Sequence, residues 1–255
     1  MNTLPVSDLI QAGGLFVASH SGGKDSMAML SRLARIVPAQ QLLVVHASLG
    51  EAEWPGALDK AEQHADALGL PFIVARAVKT FFEMVEHRYK VRPGPNSPCW
   101  PSAANRQCTS DLKRGPIERE VRRYARANGF TTIVSCLGIR AQESAGRAKA
   151  VTFRRNDRNS VAGRDWFEWL PIHEMTAAQV FAEIASGPLL PHHAYDLGND
   201  RLSCIFCIMG SRGDLANGAK HHPALFSKYA EIERRTGYTM HQSRRPLSDL
   251  AGVPA

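Results

Sequence analysis

Six consecutive residues near the amino terminus have the composition of a phosphate-binding turn: Ser21-Gly22-Gly23-Lys24-Asp25-Ser26. Adjacent glycines let backbone amides converge on an anion, because glycine adopts positive φ without steric cost. The helix predicted from Asp25 onward adds the positive end of its dipole, and Lys24 adds a full charge. Ser21 and Ser26 can donate hydroxyl hydrogen bonds. We therefore predict a phosphate site, the alternative being a tight strand–helix turn with an exposed lysine.

The six residues do not form a Walker A loop. That motif needs a glycine where Ala18 stands and a serine or threonine where Asp25 stands. A different class of phosphate-binding turn is therefore expected.

Five cysteines form the second group of chemically capable residues: Cys99, Cys108, Cys136, Cys204 and Cys207. An odd number argues against a disulfide framework in a chain expected to be cytoplasmic. The two-residue spacing of Cys204 and Cys207 lets both sulfurs face one metal, with Cys108 and Cys99 available as partners. The alternative is a set of buried thiols, since free cysteine packs as a small hydrophobe. Cys136 ends an apolar run and is expected to be a buried thiol.

Alternating strands and helices must position these residues. Strands are predicted at 15–18, 42–45, 71–75, 131–136 and 166–172. Helices are predicted at 25–36, at 55–68 with Gly69 as its cap, at 80–89, at 117–128, from the Thr176 cap to 185, and at 223–235 before Gly237. This order is typical of a parallel sheet with helices on both faces. Ligands of such sheets bind at the carboxyl ends of strands, where the glycine turn lies.

Two stretches break this alternation. Residues 92–109 contain Pro93, Pro95, Pro98 and Pro101, which predicts an ordered loop or an active-site flap. Residues 140–164 are rich in arginine and poor in apolar side chains, which predicts a mobile segment or one that a ligand orders.

Composition limits the class of protein. The 255 residues are 44% hydrophobic and 22% charged, as in a globular protein with a substantial core. The net charge of +7 favours acidic partners such as nucleotides, sulfate esters or nucleic acid. No apolar run approaches the roughly 20 residues that cross a bilayer, and a signal-peptide pattern is missing. We therefore expect a cytoplasmic protein without a membrane partner.

The glycine turn resembles the signature of the PP-loop ATP pyrophosphatases, and later segments make the chain similar to the phosphoadenosine phosphosulfate (PAPS) reductase family. These segments match the family in residue type and order over about 15–210. They are His-Ala-Ser-Leu-Gly-Glu at 46–51, Cys-Thr-Ser-Asp-Leu-Lys-Arg-Gly-Pro-Ile at 108–117, Gly-Ile-Arg-Ala-Gln-Glu-Ser at 138–144 with Arg147, Pro-Ile at 171–172, Tyr-Asp-Leu-Gly at 195–198 and Arg-Leu-Ser-Cys-Ile-Phe-Cys at 201–207.

The resemblance implies an α/β fold of the adenine nucleotide α-hydrolase-like, Rossmann-like type, with a parallel sheet and helices on both faces. It implies a nucleotide-binding domain over 1–210 and a helical extension with a basic tail over 211–255. It also implies an adenine nucleotide, either ATP or PAPS and its relative adenylyl sulfate. The residues expected to contact the nucleotide are Ser19, Ser21, Gly22, Gly23, Lys24, Asp25, Ser26, His46, Ser48, Gly138 and Arg140.

Chemistry at or beside the α-phosphate is implied, and the catalytic residues expected are Lys24, Asp25, Arg140, Glu143 and Arg147. Arg140 and Arg147 would clamp an outer phosphate or sulfate, since guanidinium pairs bidentately with such groups. Ion pairing on a solvated loop is their alternative role. Glu143 would orient an arginine, or would hold Mg²⁺ with Asp25 if ATP is the substrate.

Some members of the resembled family carry a [4Fe–4S] cluster, and zinc is the other metal considered. The ligands here would be Cys99, Cys108, Cys204 and Cys207. In the adenylyl-sulfate-reducing branch an adjacent cysteine pair precedes the Cys-x-x-Cys, whereas Thr109 follows Cys108 here, so Cys99 is expected to supply the fourth thiolate. Reductases of the family also use a cysteine near the carboxyl terminus, and no cysteine follows Cys207.

We therefore expect an ATP-using transferase that moves an adenylyl group and releases pyrophosphate or AMP, in sulfur metabolism or in sulfur insertion into a nucleic acid or small molecule. One alternative is an iron–sulfur oxidoreductase that forms sulfite from adenylyl sulfate or PAPS. Another is a nucleic-acid-binding module with a non-catalytic nucleotide pocket, motivated by residues 140–164 and by the tail arginines Arg244 and Arg245. A homodimer is the oligomer expected.

Overall fold

A computed structural model describes residues 6–91, 94 and 97–253 of the chain. Pro93 and Pro95 of the predicted loop lie outside the described residues. The chain forms two compact units, each assembled from separate segments. The first comprises Met1–Ala47, Ala57–Ala75 and Ile117–His192, and the second comprises Ser48–Gly56, Arg76–Pro116 and His193–Ala255. The domain boundary expected at residue 210 stays a prediction.

The strands of the described residues form one six-stranded sheet in the order β3-β2-β1-β4-β6-β5. The strands are β1 Leu15–Ser19, β2 Leu42–Ser48, β3 Phe72–Arg76, β4 Thr132–Cys136, β5 Phe153–Arg155 and β6 Asp165–Trp169. Strand β1 lies in the interior and pairs in parallel with both β2 and β4. Strand β4 pairs in parallel with β6, and β5 is the antiparallel edge. The predicted α/β sheet is confirmed, with an added edge strand.

Helices connect these strands and continue to the end of the described chain. The helices are α1 Val6–Gln11, α2 Lys24–Ile36, α3 Ala57–Ala67, α4 Phe81–Val91, α5 Gln107–Thr109, α6 Gly115–Ala127, α7 Ala145–Ala148, α8 Ala177–Ala185, α9 Arg212–His221, α10 Pro223–Thr236 and α11 Leu247–Ala251. A π-helical segment at Ser110–Arg114 joins α5 to α6.

Apolar alternation along the central strands explains why the sheet is covered on both faces. Phe16 and Ala18 of β1 belong to one buried cluster, which also contains residues of α2 and α8. Leu15 and Val17 belong to another cluster, together with Val121 of α6. Successive side chains of a strand point to opposite faces, so β1 is buried from both sides.

The second unit has its own core, which is mainly aromatic. Tyr229 of α10 is fully buried and stacks on Trp100 with ring centroids 5.5 Å apart. Phe81 and Phe82 of α4 and Phe206 surround the same ring. Such contacts hold α4, α10 and the segment around Phe206 together, because aromatic rings bury large apolar areas in defined geometries.

Sequence signals fixed the ends of several helices. Thr176 caps α8 through a capping box with Gln179, as predicted. Gly237 ends α10 in the left-handed conformation at φ 73°, also as predicted. These signals are local, which is why they could be interpreted without knowledge of the fold.

The arginine-rich stretch at 140–164 differs from the prediction that it is mobile or ordered by a ligand. It contains α7 and β5, and each of its arginines donates to an acceptor of the same unit. These pairs are Arg140 with Asp25, Arg147 with Glu143, Arg154 with Glu168, Arg155 with Asp157 and Asp165, Arg158 with Glu118, and Arg164 with the Asn159 carbonyl. Ion pairing takes the place of an apolar core in ordering this segment.

Candidate functional site

The glycine turn lies between the carboxyl end of β1 and the start of α2. Gly22 has φ +75°, a backbone conformation that residues with a Cβ rarely adopt. Gly23 is extended and occupies the N-cap position of α2 without a side-chain cap. The first N–H groups of a helix have no acceptor within the helix, so they converge on the space above the turn. This is the arrangement that binds anions at helix N-termini.

Two serines form hydrogen bonds across the turn. The Ser21 N–H donates to Ser26 Oγ at 3.2 Å, and the two hydroxyl oxygens also lie 3.2 Å apart. Ser26 Oγ donates to the Gly23 carbonyl at 2.8 Å. The Ser26 hydroxyl is therefore engaged inside the turn.

A buried histidine supports the turn from below. Nδ1 of His20 accepts the Gly22 N–H at 2.9 Å and lies 3.1 Å from Ser26 Oγ. Its other ring nitrogen lies 3.1 Å from Nδ1 of His64 in α3. Nε2 of His64 lies 2.8 Å from the Leu190 carbonyl. The turn is thus connected by hydrogen bonds to two other segments of the first unit.

Burial keeps this histidine pair neutral. Burial, followed by the proximity of His64 and His46, lowers the pKa of His20 well below its ordinary value. Burial also lowers the pKa of His64, with Lys60 acting in the same direction and the Leu190 carbonyl opposing. His46, predicted to contact the nucleotide, is buried in β2, where its Nδ1 donates to the His20 carbonyl at 2.9 Å.

A nearly buried ion pair joins α2 to the segment after β4. Nε of Arg140 lies 2.6 Å from a carboxylate oxygen of Asp25, with 7% and 21% of the two side chains exposed. Nη1 of Arg140 donates to Gln142 Oε1 at 3.0 Å, and Gln142 Oε1 also accepts the Ala177 N–H at 2.8 Å. The guanidinium is therefore held in one orientation beside the start of α2.

Glu143 and Arg147 form a second ion pair in the same segment. Oε2 of Glu143 also accepts the Arg140 N–H at 3.0 Å, so one carboxylate contacts both predicted clamp residues. His173 Nε2 lies 2.9 Å from the Arg147 carbonyl, and that contact raises the pKa of His173 together with its hydrogen bond to Glu174. These contacts support the expectation that Glu143 orients arginines.

Gly138 lies against the first turn of α2. A Cβ at this position would be 3.1 Å from the carbonyl carbon and oxygen of Asp25 and 3.2 Å from the Ser26 nitrogen. A residue with a Cβ would require a shift of a few tenths of an ångström here, so the glycine lets the segment before Arg140 lie directly beside the glycine turn.

The first unit thus brings together most of the predicted nucleotide and catalytic residues. Those that share contacts at the start of α2 are Ser21, Gly22, Gly23, Asp25, Ser26, Gly138, Arg140, Glu143 and Arg147. Lys24 is buried at the first position of α2, and Ser19 ends β1. Ser48 belongs to the second unit, where it lines a cavity of about 230 Å³ with Lys79 and Phe81. Sequence interpretation missed His20 and His64, and the position of His20 directly before Ser21 was the available signal.

Three of the four cysteines predicted as metal ligands interact with one buried lysine of the second unit. Cys204, Cys207 and Cys108 raise the pKa of Lys113, Cys204 most strongly, while burial opposes them. Burial raises the pKa of Cys204 to about 12 and also raises the pKa of Cys108. The group is therefore three cysteine side chains around one buried lysine.

Cys99 is fully buried in the same unit. The side chains that affect the pKa of its thiol are Thr236, Arg88 and Glu86, and none of the other cysteines is among them. Among the described residues no group of three or more His, Cys, Asp and Glu side chains is arranged to hold a metal ion. The side chains therefore do not fit the four-thiolate site expected, and ligation by Cys99, Cys108, Cys204 and Cys207 stays a prediction that iron and zinc analysis can test. Cys136 is buried, as predicted.

None of the helices in the described part of the chain has both the length and the apolar character that crossing a membrane requires.

Comparison with known proteins gives one family over most of the chain. The model of the phosphoadenosine phosphosulfate reductase domain matches residues 16–209. An uncharacterised protein of Methanocaldococcus jannaschii is 24% identical over 220 residues, which are 86% of this chain and 48% of the relative. An uncharacterised 37.8 kDa protein of Escherichia phage 186 is 28% identical over 135 residues, 53% of this chain and 39% of the relative. The chain spans about half the length of the curated relatives it matches.

The solved structures that align with this chain share little sequence with it. PAPS reductase from Candida auris, in its phosphate complex, has a TM-score of 0.47 at 16% identity, covering 80% of this chain and 89% of that one. FMN adenylyltransferase from Candida glabrata has a TM-score of 0.45 at 12% identity, covering 76% of this chain and 53% of that one. The U34-tRNA thiolase NcsA from Methanococcus maripaludis, with its [4Fe–4S] cluster, has a TM-score of 0.40 at 14% identity, covering 97% of this chain and 87% of that one.

Proposed function

Because the chain belongs to the phosphoadenosine phosphosulfate reductase domain family, we propose that it binds ATP at the glycine turn and transfers the adenylyl group to an acceptor. An acceptor nucleophile attacks the α-phosphorus, and the bond between that phosphorus and the bridging oxygen to the β-phosphate breaks. Pyrophosphate leaves with the electron pair of that bond, and the acceptor loses its proton to solvent. This is an enzyme of the PP-loop class.

One observation carries the proposal. Gly22 and Gly23 join the interior strand β1 to α2, so the N-terminus of this helix, with Lys24 at its first position, lies at the carboxyl end of the strand, where an anion would be bound. A triphosphate carries the negative charge that such a site binds. Its α-phosphorus is the atom that the acceptor attacks in an adenylyl transfer.

Arginines held beside this turn would stabilise charge that develops on the phosphates. Arg140 is fixed by Asp25, and Arg147 is fixed by Glu143, which also holds the Arg140 amide. Preorganised donors of this kind stabilise a transition state without reorganising during the reaction. The roles proposed are charge neutralisation for Lys24, Arg140 and Arg147, and orientation for Asp25 and Glu143.

The two carboxylates considered for Mg²⁺ are both engaged by arginines. Asp25 pairs with Arg140 and Glu143 pairs with Arg147, so neither carboxylate is arranged to ligate a cation in this structure. The contacts therefore support orientation of arginines by these acids, and no step of the proposed reaction is assigned to protein-bound Mg²⁺.

The acceptor is proposed as a nucleic acid or a small molecule that receives sulfur after adenylylation. The first alternative, an iron–sulfur enzyme that forms sulfite from adenylyl sulfate or PAPS, needs a thiolate that attacks sulfur. Burial raises the pKa of Cys204 and of Cys108, which disfavours that thiolate. The nucleic-acid module without turnover has less support, since the arginines of residues 140–164 are engaged within the chain.

Pyrophosphate release tests the proposal. The chain is incubated with ATP, Mg²⁺ and candidate acceptors, ATP binding is measured by titration calorimetry, and pyrophosphate and AMP are quantified. We expect Lys24→Ala to reduce turnover by about 100-fold, because removing one preorganised donor to a reacting group costs this much. Lys220→Ala, which removes an exposed lysine at the end of α9, is the matched control. Absence of ATP binding to the wild-type chain, or equal turnover of Lys24→Ala and wild type, contradicts the proposal.

A further inference from the structure

The hydrogen bonds behind the glycine turn have a fixed direction. The chain of contacts begins at the Gly22 N–H, passes through His20 and His64, and ends at the Leu190 carbonyl. A backbone N–H can only donate and a carbonyl can only accept. Nδ1 of His20 must therefore be unprotonated, and Nε2 of His64 must carry a proton.

These two ends determine the tautomer of each ring. A neutral His20 with an unprotonated Nδ1 carries its proton on Nε2, which donates to Nδ1 of His64. His64 then accepts at Nδ1 and donates from Nε2 to Leu190. Both rings are neutral in this arrangement, and every ring nitrogen of the pair has a partner of the required kind.

We propose that His20 is a positioning residue for nucleotide binding, and that His64 acts through it by fixing its tautomer. His20 gives the Gly22 amide an acceptor inside the fold, so this amide is directed away from the anion, and the donors left for the anion are those at the start of α2. The Ser21 amide is likewise engaged, by Ser26. The consequence for ATP rests on the proposed function, whereas the effect on the turn itself does not.

The position of the remaining amides depends on this contact. Gly22 has a positive φ and no side chain, so its backbone is the least restricted of the turn. Without an acceptor at Nδ1, the buried Gly22 N–H loses its partner, and the turn must move to satisfy it. Movement there displaces Gly23 and the start of α2, which carry the donors for the phosphates.

Two substitutions of His20 distinguish the contact of Nδ1 with Gly22 from the contact of Nε2 with His64. In His20→Asn, the side-chain oxygen lies near the former Nδ1 and can still accept the Gly22 N–H. In His20→Gln, the longer side chain reaches the former Nε2 toward His64, and the acceptor for Gly22 is lost. His87→Gln, an exposed histidine of α4, controls for the change of residue type.

The first measurement uses the chain without ligand. Amide hydrogen exchange of Gly22 is followed by NMR in the wild type and in the three variants, with thermal unfolding to confirm that each is folded. We expect His20→Asn to keep the protection of the wild-type amide and His20→Gln to exchange about tenfold faster, because a hydrogen bond is lost. Equal exchange in both His20 variants overturns the inference, and this holds whatever the chain binds.

The second measurement is ATP affinity by titration calorimetry. His20→Gln is expected to bind ATP about tenfold more weakly, whereas His20→Asn and His87→Gln bind within about threefold of wild type. Wild-type binding with unchanged affinity in His20→Gln contradicts the positioning role and leaves the proposed function standing. Lack of binding by the wild type contradicts the proposed function, and the exchange measurement then decides the positioning role alone.

Discussion

The carboxylate of Asp25 and the guanidinium of Arg140 meet where the phosphate turn becomes a helix. Arg140 is buried, and its other acceptors are Gln142 and the Met175 carbonyl. Removing the carboxylate leaves the buried Arg140 cation without its anion. The resulting loss of folding free energy is larger than the net stabilisation that the intact pair provides. The pair is therefore a structural connection, and it holds in place the arginine that we propose contacts a phosphate.

Substitution of either partner tests this dual role. We expect Asp25→Asn to lower the free energy of unfolding by about 3 kcal/mol, because Arg140 stays buried without its anion. Asp25→Asn combined with Arg140→Gln should recover part of that loss, and urea unfolding of the four chains gives the coupling. Arg234→Gln, in an exposed pair with Glu231, should change stability by less than about 0.5 kcal/mol. Strictly additive effects of the two substitutions contradict the interpretation.

Among individual residues, the sequence predicted those whose chemistry follows from residue type and from adjacent positions in the chain. It missed residues whose role depends on a neighbour that is distant in the sequence. The glycines, Lys24 and Asp25 are adjacent in the chain, so their convergence follows from local geometry. His20 and His64 meet only because β1 and α3 pack in the first unit. Nothing in the spacing of two histidines predicts that contact.

Among the elements, the segment between β4 and α7 positions Arg140 beside the glycine turn. Strand β4 pairs in register with β1, from Leu15 opposite Ile133 to Ala18 opposite Cys136, so the residues that follow β4 emerge beside the glycine turn. Gly138 then passes α2 without a side chain in between. The distance of Arg140 from the turn is therefore set by the contact of one glycine with one helix.

Adding a methyl group at this contact is a test at the scale of elements. Gly138→Ala places a Cβ 3.1 Å from the Asp25 carbonyl, so the segment or α2 must shift by a few tenths of an ångström. We expect ATP affinity to fall about tenfold, since overpacking costs about 1–3 kcal/mol. Gly146→Ala is the matched control, because no heavy atom lies within 4 Å of its new Cβ. Equal affinities of the two variants, measured by calorimetry, would show that the close approach does not position the site.

The elements that sequence patterns predicted are those with apolar periodicity, such as β1, β2 and α2. Strand β5 escaped prediction because two of its three residues are arginines, and their partners Glu168 and Asp165 lie in β6. An edge strand held by ion pairs has no hydrophobic signal. The π-helical turn at Ser110–Arg114 escaped for a similar reason, since a local change of hydrogen-bond register has no composition of its own.

For the whole molecule, the assembly of each unit from separate segments could not be inferred from the sequence. Residues 48–56 and 76–116 join the carboxyl-terminal residues in one unit, although strands and helices of the other unit flank them in the chain. The same assembly decides which cysteines become neighbours. Cys108 meets Cys204 and Cys207 around Lys113, whereas Cys99, nine residues before Cys108, packs near Thr236. Spacing in the sequence does not report such distances.

The stability of the whole chain should fall in acid, because the buried histidine pair is neutral in the folded state. The lowered pKa of His20 means that the unfolded chain binds a proton near pH 6.5 that the folded chain does not. The proximity of His64 on α3 and of His46 on β2 lowers the pKa of His20 further. Lys60 on α3 lowers the pKa of His64 in the same direction. His173, whose pKa is raised, opposes the trend, and it is present in wild type and variant alike.

Comparison of wild type with His20→Asn isolates this contribution. Between pH 7.5 and pH 5.5, a histidine that stays neutral when folded and has a pKa of about 6.5 when unfolded costs about 1.4 kcal/mol of stability. We expect the free energy of unfolding of the wild type to fall by about that much more than that of His20→Asn, in urea titrations at both pH values. The sign follows from the lowered pKa, since stability is lost as the pH falls below the unfolded value. Parallel pH profiles of the two chains would mean that His20 gains a proton as readily in the fold as outside it, and the fixed tautomer behind the phosphate turn could not then exist.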